Sequence, residues 1–472
     1  MLLKEVNFTA VWDDSRRVTP GSLFAALPGA KGNGEAFIES AIQKGAGAVL
    51  LKSGSEAKFV QKYPQVVFIP VSDPCAEFRG VVERFYGAFS CKVKTIGITG
   101  TNGKTTITYL LESIIKAAGK KTGVVGTVNC RINDKVFPSK NTTPGFLDNQ
   151  MFLASLAKEG VDYAVMEVSS HALAQGRVDL IDFNGGVFTN LTGDHLDFHG
   201  TMENYFEAKS LLFRSLSRDA YAVINTDDEW GRKLVSSTSA KVFSYGIDQD
   251  ALIRARVHEF GLKGSIFDIQ FPGGAVAIKT VFTGKHNVYN ILAAFAAGLG
   301  EGFSPEVIKK GIEALHNVPG RLERVEGPQD FHVFIDYAHT DDGLKNVLEA
   351  LVAVRHKRLI VVFGAGGDRD KTKRPRMGKV ACDLADYSIL TSDNPRSEDP
   401  RSIIEEIIPG FTQKTYEVVV DRKDAIARAL AMAQKGDIIL LAGKGHETYQ
   451  VLKDKTIDFV ERDIVTGILS KG

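Results

Sequence analysis

Cysteine is scarce in this 472-residue chain. The four present, Cys75, Cys91, Cys130 and Cys382, lie too far apart for a metal knuckle or a CxxC redox pair, so they read as reduced, buried thiols. Long apolar runs are missing as well. Stretches such as Leu359 to Ala365 fall far short of the roughly 20 residues of a membrane-spanning helix. The opening MLLKEVNFTAVWDDSRR brings acids in early and has no unbroken apolar core, which argues against a secretory signal and for a cytoplasmic protein. Neither sign of charge dominates. The 58 Lys and Arg against 57 Asp and Glu leave +1, so there is no global footprint for nucleic acid or an anionic membrane, and any anion has to be held locally. Internal repeats and low-complexity tracts are absent too. The remaining composition, 44% hydrophobic and 24% charged, is that of an ordinary globular protein long enough for about three domains.

Residues 1–93 alternate short apolar runs (Ala48 to Leu51, Val66 to Val71) with a helical pattern at Phe37, Ile38, Ala41 and Ile42. They predict a small N-terminal α/β domain ending near Ser90. Residues 94–320 form a second domain: TIGIT runs into a Gly-rich turn and the amphipathic helix ITYLLESIIKAAG, and βα alternation continues through YAVMEVSS, GGVFTNL and AYAVINTD. Between Ala251 and Phe282 the pattern becomes strict strand alternation with Gly turns, an antiparallel insert, and small apolar residues from Asn290 to Gly300 form a helix that packs back. Pro319-Gly320 reads as a hinge. Beyond it, residues 321–472 carry FHVFIDY, RLIVVFGA, YSILTSD and DIILLAG separated by helices, which predict a doubly wound, Rossmann-like parallel sheet. The fold class is therefore α/β in three domains.

The chemistry-bearing residues fall at strand ends. In Gly97-Ile-Thr-Gly-Thr-Asn-Gly-Lys-Thr-Thr106, a strand gives way to a helix, the geometry in which backbone N–H groups and the helix dipole hold phosphate oxygens. Lys104 would reach the outer phosphates and the Thr105 hydroxyl a Mg²⁺ ion. The strict P-loop pattern needs Gly at 98, where this chain has Ile98; a plain Gly-rich turn with a surface lysine is the alternative. Glu167 closes the strand AVMEV just before Ser169, Ser170 and His171, which aims a carboxylate at the ligand crevice of such a sheet. Asp194, His195, Asp197 and His199 bring four metal-capable side chains into six residues, although a polar loop capped by Asp194 fits the same spacing. By spacing alone Lys209, in MENYFEAKSLLF, is a solvated lysine. In the third domain Arg369 in GGDRD, Asp393-Asn394-Pro395-Arg396, and Gly443 and Glu447 in AGKGHE follow three strands and converge on one crevice. For Arg396 the plain alternative is a surface salt bridge to Glu398 or Asp399, and Lys371, Lys373, Arg374 and Arg376 read as a solvated basic loop rather than an added phosphate site.

TGTNGKTT, MEVSSH, FTNLTGDHLDFHG, GKHNVYN, PGRLERV, DYAHTDDG, FGAGGDRDKTKRPRMG, DNPRSEDP and AGKGHE occur in the order seen in the Mur ligases, and the chain resembles that family along nearly its whole length. The resemblance implies an N-terminal domain for a UDP moiety, a central ATPase and a C-terminal domain for the incoming amino acid. It implies ATP binding by Gly100, Thr101, Asn102, Gly103, Lys104, Thr105 and Thr106, with His286 and Asn290 near the adenine and Arg321 and Asp336 near the phosphates. Thr105, Glu167, His195 and a carbamylated Lys209 are the implied Mg²⁺-associated groups. Ser15, Asn141, Thr142, Thr143, Ser169, Gln175 and Arg177 would meet the UDP-linked substrate. The chain departs most from the family at Ala30-Lys31-Gly32, where the UDP loop varies.

The closest branch adds meso-2,6-diaminopimelate to UDP-N-acetylmuramoyl-L-alanyl-D-glutamate through an acyl phosphate, in peptidoglycan synthesis. In that branch Arg396 would read the distal carboxylate of diaminopimelate, with Glu447 pairing its ammonium. The implied partners are small molecules, with neither nucleic acid nor membrane, and the expected state is a monomer. A lysine-adding Mur ligase or a folylpolyglutamate-type amide ligase is the enzyme alternative. A nucleotide-dependent switch is the alternative from another class.

Overall fold

The computed structural model describes residues 7–29, 32–90, 92–355, 357–413 and 415–470. Ala30 and Lys31 of the loop where the chain departs from the family, the first six residues of the opening segment and Cys91 lie outside them. Two compact units result. The first comprises Met1–Val93, Pro144–Gly160 and Gly176–Asp182; the second comprises Lys94–Thr143, Val161–Gln175 and Phe183–Gly472.

The first unit is built on four parallel strands in the order Val11–Trp12, Leu23–Ala25, Ala48–Lys52, Val67–Val71. Ala48 to Leu51 are all buried because both faces of the sheet are covered, which is why this strand is a continuous apolar run. Phe78, Val81 and Val82 of the helix Pro74–Ser90 cover one face and Ile38 and Ala41 the other. The helix Phe146–Lys158 joins this unit from far along the chain, placing Leu147 in the same core.

In the second unit an eleven-stranded sheet holds the P-loop strand Lys94–Thr99 between Tyr163–Glu167 and Phe183–Phe188, all three parallel. The chain leaves the P-loop strand toward one side of the sheet and returns on the other, so the strand's carboxyl end opens at a topological switch point. The expected antiparallel insert extends one edge as Ile253–Gly261, Gly264–Phe271 and Gly274–Thr280. Its inward residues Phe267, Ile269 and Ile278 share a core with the alanine-rich helix Lys285–Gly300. A six-stranded sheet follows, in the order Glu323–Val325, His332–Asp336, Ile438–Ala442, Leu359–Phe363, Tyr387–Leu390, Tyr416–Val418, parallel but for its first strand. Asp336, Phe363, Leu390 and Ala442 therefore end at one edge.

At Pro319-Gly320, the segment expected as a hinge, the glycine is tied into the following module. Gly320 has φ +64°, donates its N–H to Glu323 Oε2 at 2.8 Å and accepts from Tyr337 N at 2.9 Å. A Cβ there would collide with the backbone of Gly445 and His446. Gly320 is thus fastened to the third module on its C-terminal side.

The P-loop helix Lys104–Ala117 is braced from behind by the helix Pro305–Ala314. They touch at Gly311, whose carbonyl accepts from Ser113 Oγ at 2.6 Å and where a Cβ would come within 2.8 Å of the Ile114 nitrogen. Gly311→Val should overpack this contact at a cost of about 1 to 3 kcal/mol. The measurement is the denaturant midpoint; an unchanged value would mean that the helices separate freely.

Candidate active site

The P-loop turns where the sequence places it. Gly100 and Gly103 have φ of +147° and +90°, and a side chain at Gly100 would collide with the Thr189 hydroxyl, so the loop can lie close against its neighbour only as glycine. Lys104 Nζ donates to the carbonyls of Gly100 and Thr101, both at 2.9 Å. Lys209 Nζ donates to the same Gly100 oxygen at 2.9 Å and stands 4.4 Å from the centre of the Tyr205 ring. Burial pushes both ammonium pKa values down, and the charge of Lys104 lowers that of Lys209 further. The Lys209 reading from spacing is corrected: the residue is 1% exposed, not solvated. Asn102 N and Thr101 N bond Asn190, and Thr106 is buried behind them.

Glu167 ends its strand facing the same cavity, a space of about 670 Å³ that Lys104, Thr105 and His195 also line. Thr127 holds both its oxygens, by N–H to Oε1 at 2.9 Å and by hydroxyl to Oε2 at 2.8 Å. Thr142 Oγ1 meets Thr127 Oγ1 at 3.0 Å, and Thr143 Oγ1 donates to the Glu167 carbonyl at 2.8 Å and lies 3.2 Å from Ser169 Oγ. Asn141 is exposed beside them, and Gln175 closes the helix that Ser169 caps. Ser15 is buried in the first unit, where the carbonyl of Arg177 accepts from Asn149 Nδ2.

The Asp194 to His199 run does not converge on one point. His195 is left-handed at φ +56° and its N–H bonds Asp194 Oδ1, so Asp194 holds its neighbour instead of capping the helix Leu196–His199. His199 turns to Ser170 Oγ at 2.9 Å. Among the described residues no three His, Cys, Asp or Glu side chains could hold a metal ion together. Burial lowers the His195 pKa to about 4, so its ring is neutral at pH 7.

On the other wall Asn290 packs against Gly103, and Arg321 Nη2 donates to Thr105 Oγ1 at 3.1 Å. Asp336 accepts from Leu322 N and Ala338 N and is raised in pKa by burial. From the end of its strand it braces the loop that carries Arg321. Asp342, a residue the sequence reading passed over, receives Asn102 Nδ2 at 2.7 Å and Thr192 Oγ1 at 3.0 Å, tying the third module to the P-loop. Its signal is present in DYAHTDDG, where the paired acids Asp341 and Asp342 open a helix.

In the third module Gly443 has φ +114°, and a Cβ there would sit 2.5 Å from Asp393 Oδ2. Arg396 is left-handed at φ +52°, its N–H on the Val451 carbonyl and its Nη1 on Gly367 O at 2.9 Å. The carbonyl of its neighbour Pro395 accepts from Glu398 N at 3.0 Å. A non-glycine residue in this conformation costs on the order of 1 to 2 kcal/mol, a strain found at ligand sites. No carboxylate among the described residues pairs with Arg396, so the surface-bridge alternative is absent: Glu398 is taken by Arg374 at 2.9 Å and Lys371 at 3.2 Å. The solvated basic loop holds for Lys371 and Arg376, which are exposed, and is corrected for the other two. Arg374 is 0% exposed between Glu398 and Glu406, Lys373 is buried, and Arg376 bonds Asp341 at 2.7 Å. Arg369 stays exposed on the rim.

Burial holds His286 at a pKa of about 4, below its ordinary 6.5. The unfolded state takes up this proton first, so stability is full above about pH 6.5 and falls as the pH drops toward about 4. His286→Gln should flatten that slope in urea titrations across the window; an unchanged slope would place the proton uptake elsewhere.

Three family profiles match: the Mur ligase middle domain over residues 98–298, the Mur ligase glutamate ligase domain over 320–445, and the Mur ligase family catalytic domain over 7–80. The chain is 45% identical over 471 residues to the UDP-N-acetylmuramoyl-L-alanyl-D-glutamate–2,6-diaminopimelate ligase of Solibacter usitatus, covering 99% of this chain and 94% of that one. A solved structure of a ligase with that name is 33% identical with a TM-score of 0.69, over 98% of this chain and 95% of the other. The MurF ligase of Thermotoga maritima in complex with ADP, at 18% identity, shares the fold at a TM-score of 0.68 over 100% and 99% of the two chains. With cradle, strand-end carboxylate and third-module crevice assembled as described, the chain belongs to the Mur ligase family.

Proposed function

We propose that this protein is an ATP-dependent ligase that adds meso-2,6-diaminopimelate to UDP-N-acetylmuramoyl-L-alanyl-D-glutamate, acting as a monomer in the cytoplasmic stage of peptidoglycan synthesis. The carrying observation is Arg396: a strained, carboxylate-free guanidinium at the crevice edge, in a body that also holds a phosphate cradle. The 45% identity to a ligase named for that reaction supports it.

A carboxylate resists an amine because its charge and its poor oxide leaving group block attack. Transfer of the ATP γ-phosphoryl to a carboxylate of the D-glutamyl residue removes the charge and supplies phosphate as the leaving group. Lys104 and the P-loop amides take up charge on the transferring group, and Arg321, bonded to Thr105, reaches the same phosphates. The amine of diaminopimelate then attacks the acyl carbon, and the tetrahedral intermediate expels phosphate to leave the amide. Arg396 and Glu447 orient this donor at its distal end.

The donor set fits Mg²⁺: Thr105 and Glu167 offer hard oxygens, and the lack of a protein cage among the described residues suits an ion that takes most ligands from phosphate and water. Bound Mg²⁺ supplies charge neutralisation at the phosphates. Thr105, Glu167, neutral His195 and the Lys209 carbamate would hold it.

Phosphate release should require ATP, the UDP-linked dipeptide and meso-diaminopimelate together. Arg396→Ala should lower kcat/KM for diaminopimelate at least about 30-fold, since truncating one member of a partly dry charge pair costs roughly 2 to 5 kcal/mol. The KM for ATP should not move; equal loss for L-lysine and diaminopimelate would reduce Arg396 to loop support.

Carbamylation needs an uncharged amine, and burial beside Lys104 favours that form of Lys209. Lys209→Ala should be inactive and partly rescued by a small carboxylate, while Lys209→Arg is not. A mass spectrum and crystal map with an unmodified amine in the nucleotide complex would refute the carbamate.

A further inference from the structure

Lys444 has no task in the scheme above, yet it is fully enclosed in the third module's crevice, at 0% exposure. Its ammonium donates to Asn394 Oδ1 at 3.2 Å and to Glu447 Oε2 at 2.9 Å. Asn394 is committed in turn: Oδ1 also accepts from Val451 N at 2.9 Å, and Nδ2 donates to Glu447 Oε2 at 2.9 Å. The Asn394 side chain therefore holds the crevice together and has little left to offer a ligand. Both bonds to Glu447 fall on Oε2. Oε1 has no hydrogen-bond partner among the described residues and is the oxygen presented to an incoming group.

The charges of the crevice can be counted. Arg396 and Lys444 are positive, and Asp393 and Glu447 are negative. Glu461 behind them is closed off in a pair with Arg422 at 2.8 Å, both side chains at 0% exposure, and Arg369 is on the solvated rim. Lys373, buried as well, stands toward Asp393, and within the set Lys444 and Glu447 offset one another directly.

We propose that Lys444 is a specificity-determining residue, which cancels the charge of Glu447 so that the crevice accepts a zwitterionic distal group and rejects a lone ammonium. A donor ending in both carboxylate and ammonium brings no net charge, and Arg396 and Glu447 Oε1 each meet one half of it. A donor ending in an ammonium alone meets Glu447 with Lys444 already against it, and leaves Arg396 unanswered. Repulsion of this kind is how a site discriminates against a near-isostere beyond what attraction achieves. The inference rests on the diaminopimelate reading.

Two variants shift the crevice by one negative charge through different atoms. Lys444→Met removes the buried cation, and Asn394→Asp adds a carboxylate in nearly the same shape, so a failure of the first to fold leaves the second to decide. In the phosphate-release assay each should narrow the ratio of kcat/KM for meso-diaminopimelate over L-lysine by about tenfold or more, through KM for the amino acid and with KM for ATP unchanged. A residue that only supports the loops would lower both donors equally, and that result in the folded variants would overturn the inference while leaving the diaminopimelate reading intact. Absence of diaminopimelate-dependent phosphate release in the wild type would overturn the reading, and the inference with it.

Discussion

One carbonyl oxygen, that of Gly100, accepts hydrogen bonds from two lysine ammoniums. Two like charges on one acceptor in a buried site are costly, and no carboxylate among the described residues forms an ion pair with either. The arrangement is sustained because the P-loop strand, the Lys104 helix and the Met202–Arg214 helix are fixed by packing that leaves the lysines nowhere else to go. The two lysines therefore lack a directly paired anion until something supplies it, although Glu167 and Asp194 stand near enough to act on Lys104. A triphosphate does so at Lys104, and conversion of Lys209 to a carbamate does so at the second position by exchanging a cation for an anion. The cradle, the placing of Glu167 and the reach of Arg321 all face this single deficit.

Much of this was legible in the residues. The parallel strands appear as unbroken apolar runs, and the glycines at 100 and 103 announce a backbone turn that side chains would block. Lys209 reads as solvated from its spacing but is not hidden. It stands four residues after Tyr205 and three before Leu212, on the buried stripe of its helix, and a lysine in an apolar stripe is a signal that spacing does carry. Arg374 was illegible for a different reason. Its carboxylates lie 24 and 32 residues further on, and only the folded sheet brings Glu398 and Glu406 to it. The same holds for the Phe146–Lys158 helix, whose place in the first unit depends on contacts to Phe78 and its neighbours that no local pattern encodes.

The Asp194 to His199 run shows how spacing misleads. Four metal-capable side chains in six residues suggest convergence, but a left-handed residue at His195 and a one-turn helix send them in different directions, His199 to Ser170 and Asp197 toward the third-module rim. Proximity in sequence constrains backbone distance, not side-chain direction. Of the six non-glycine residues with positive φ among those described, His195, Leu322, Asp368 and Arg396 lie in loops at the two clefts. Backbone strain marks the site better than density of ligands does.

The two clefts also differ in how their buried charges are settled. In the third module Arg374 meets Glu398 and Glu406, Arg422 meets Glu461, and Lys444 meets Glu447, so these three buried cations have their anions before any ligand arrives. Such pairs add little net stability, because desolvation consumes most of the Coulomb gain, but breaking one strands a charge and is severe. They fix geometry, and a crevice with fixed geometry can sort donors that differ by one carboxylate. In the central cleft Lys104 and Lys209 are held by backbone carbonyls alone, so an anion bound beside them recovers energy that the fold withholds. The nucleotide side thereby gains strength from the missing anion, and the amino-acid side gains selectivity from fixed pairs set around one guanidinium without a carboxylate, that of Arg396.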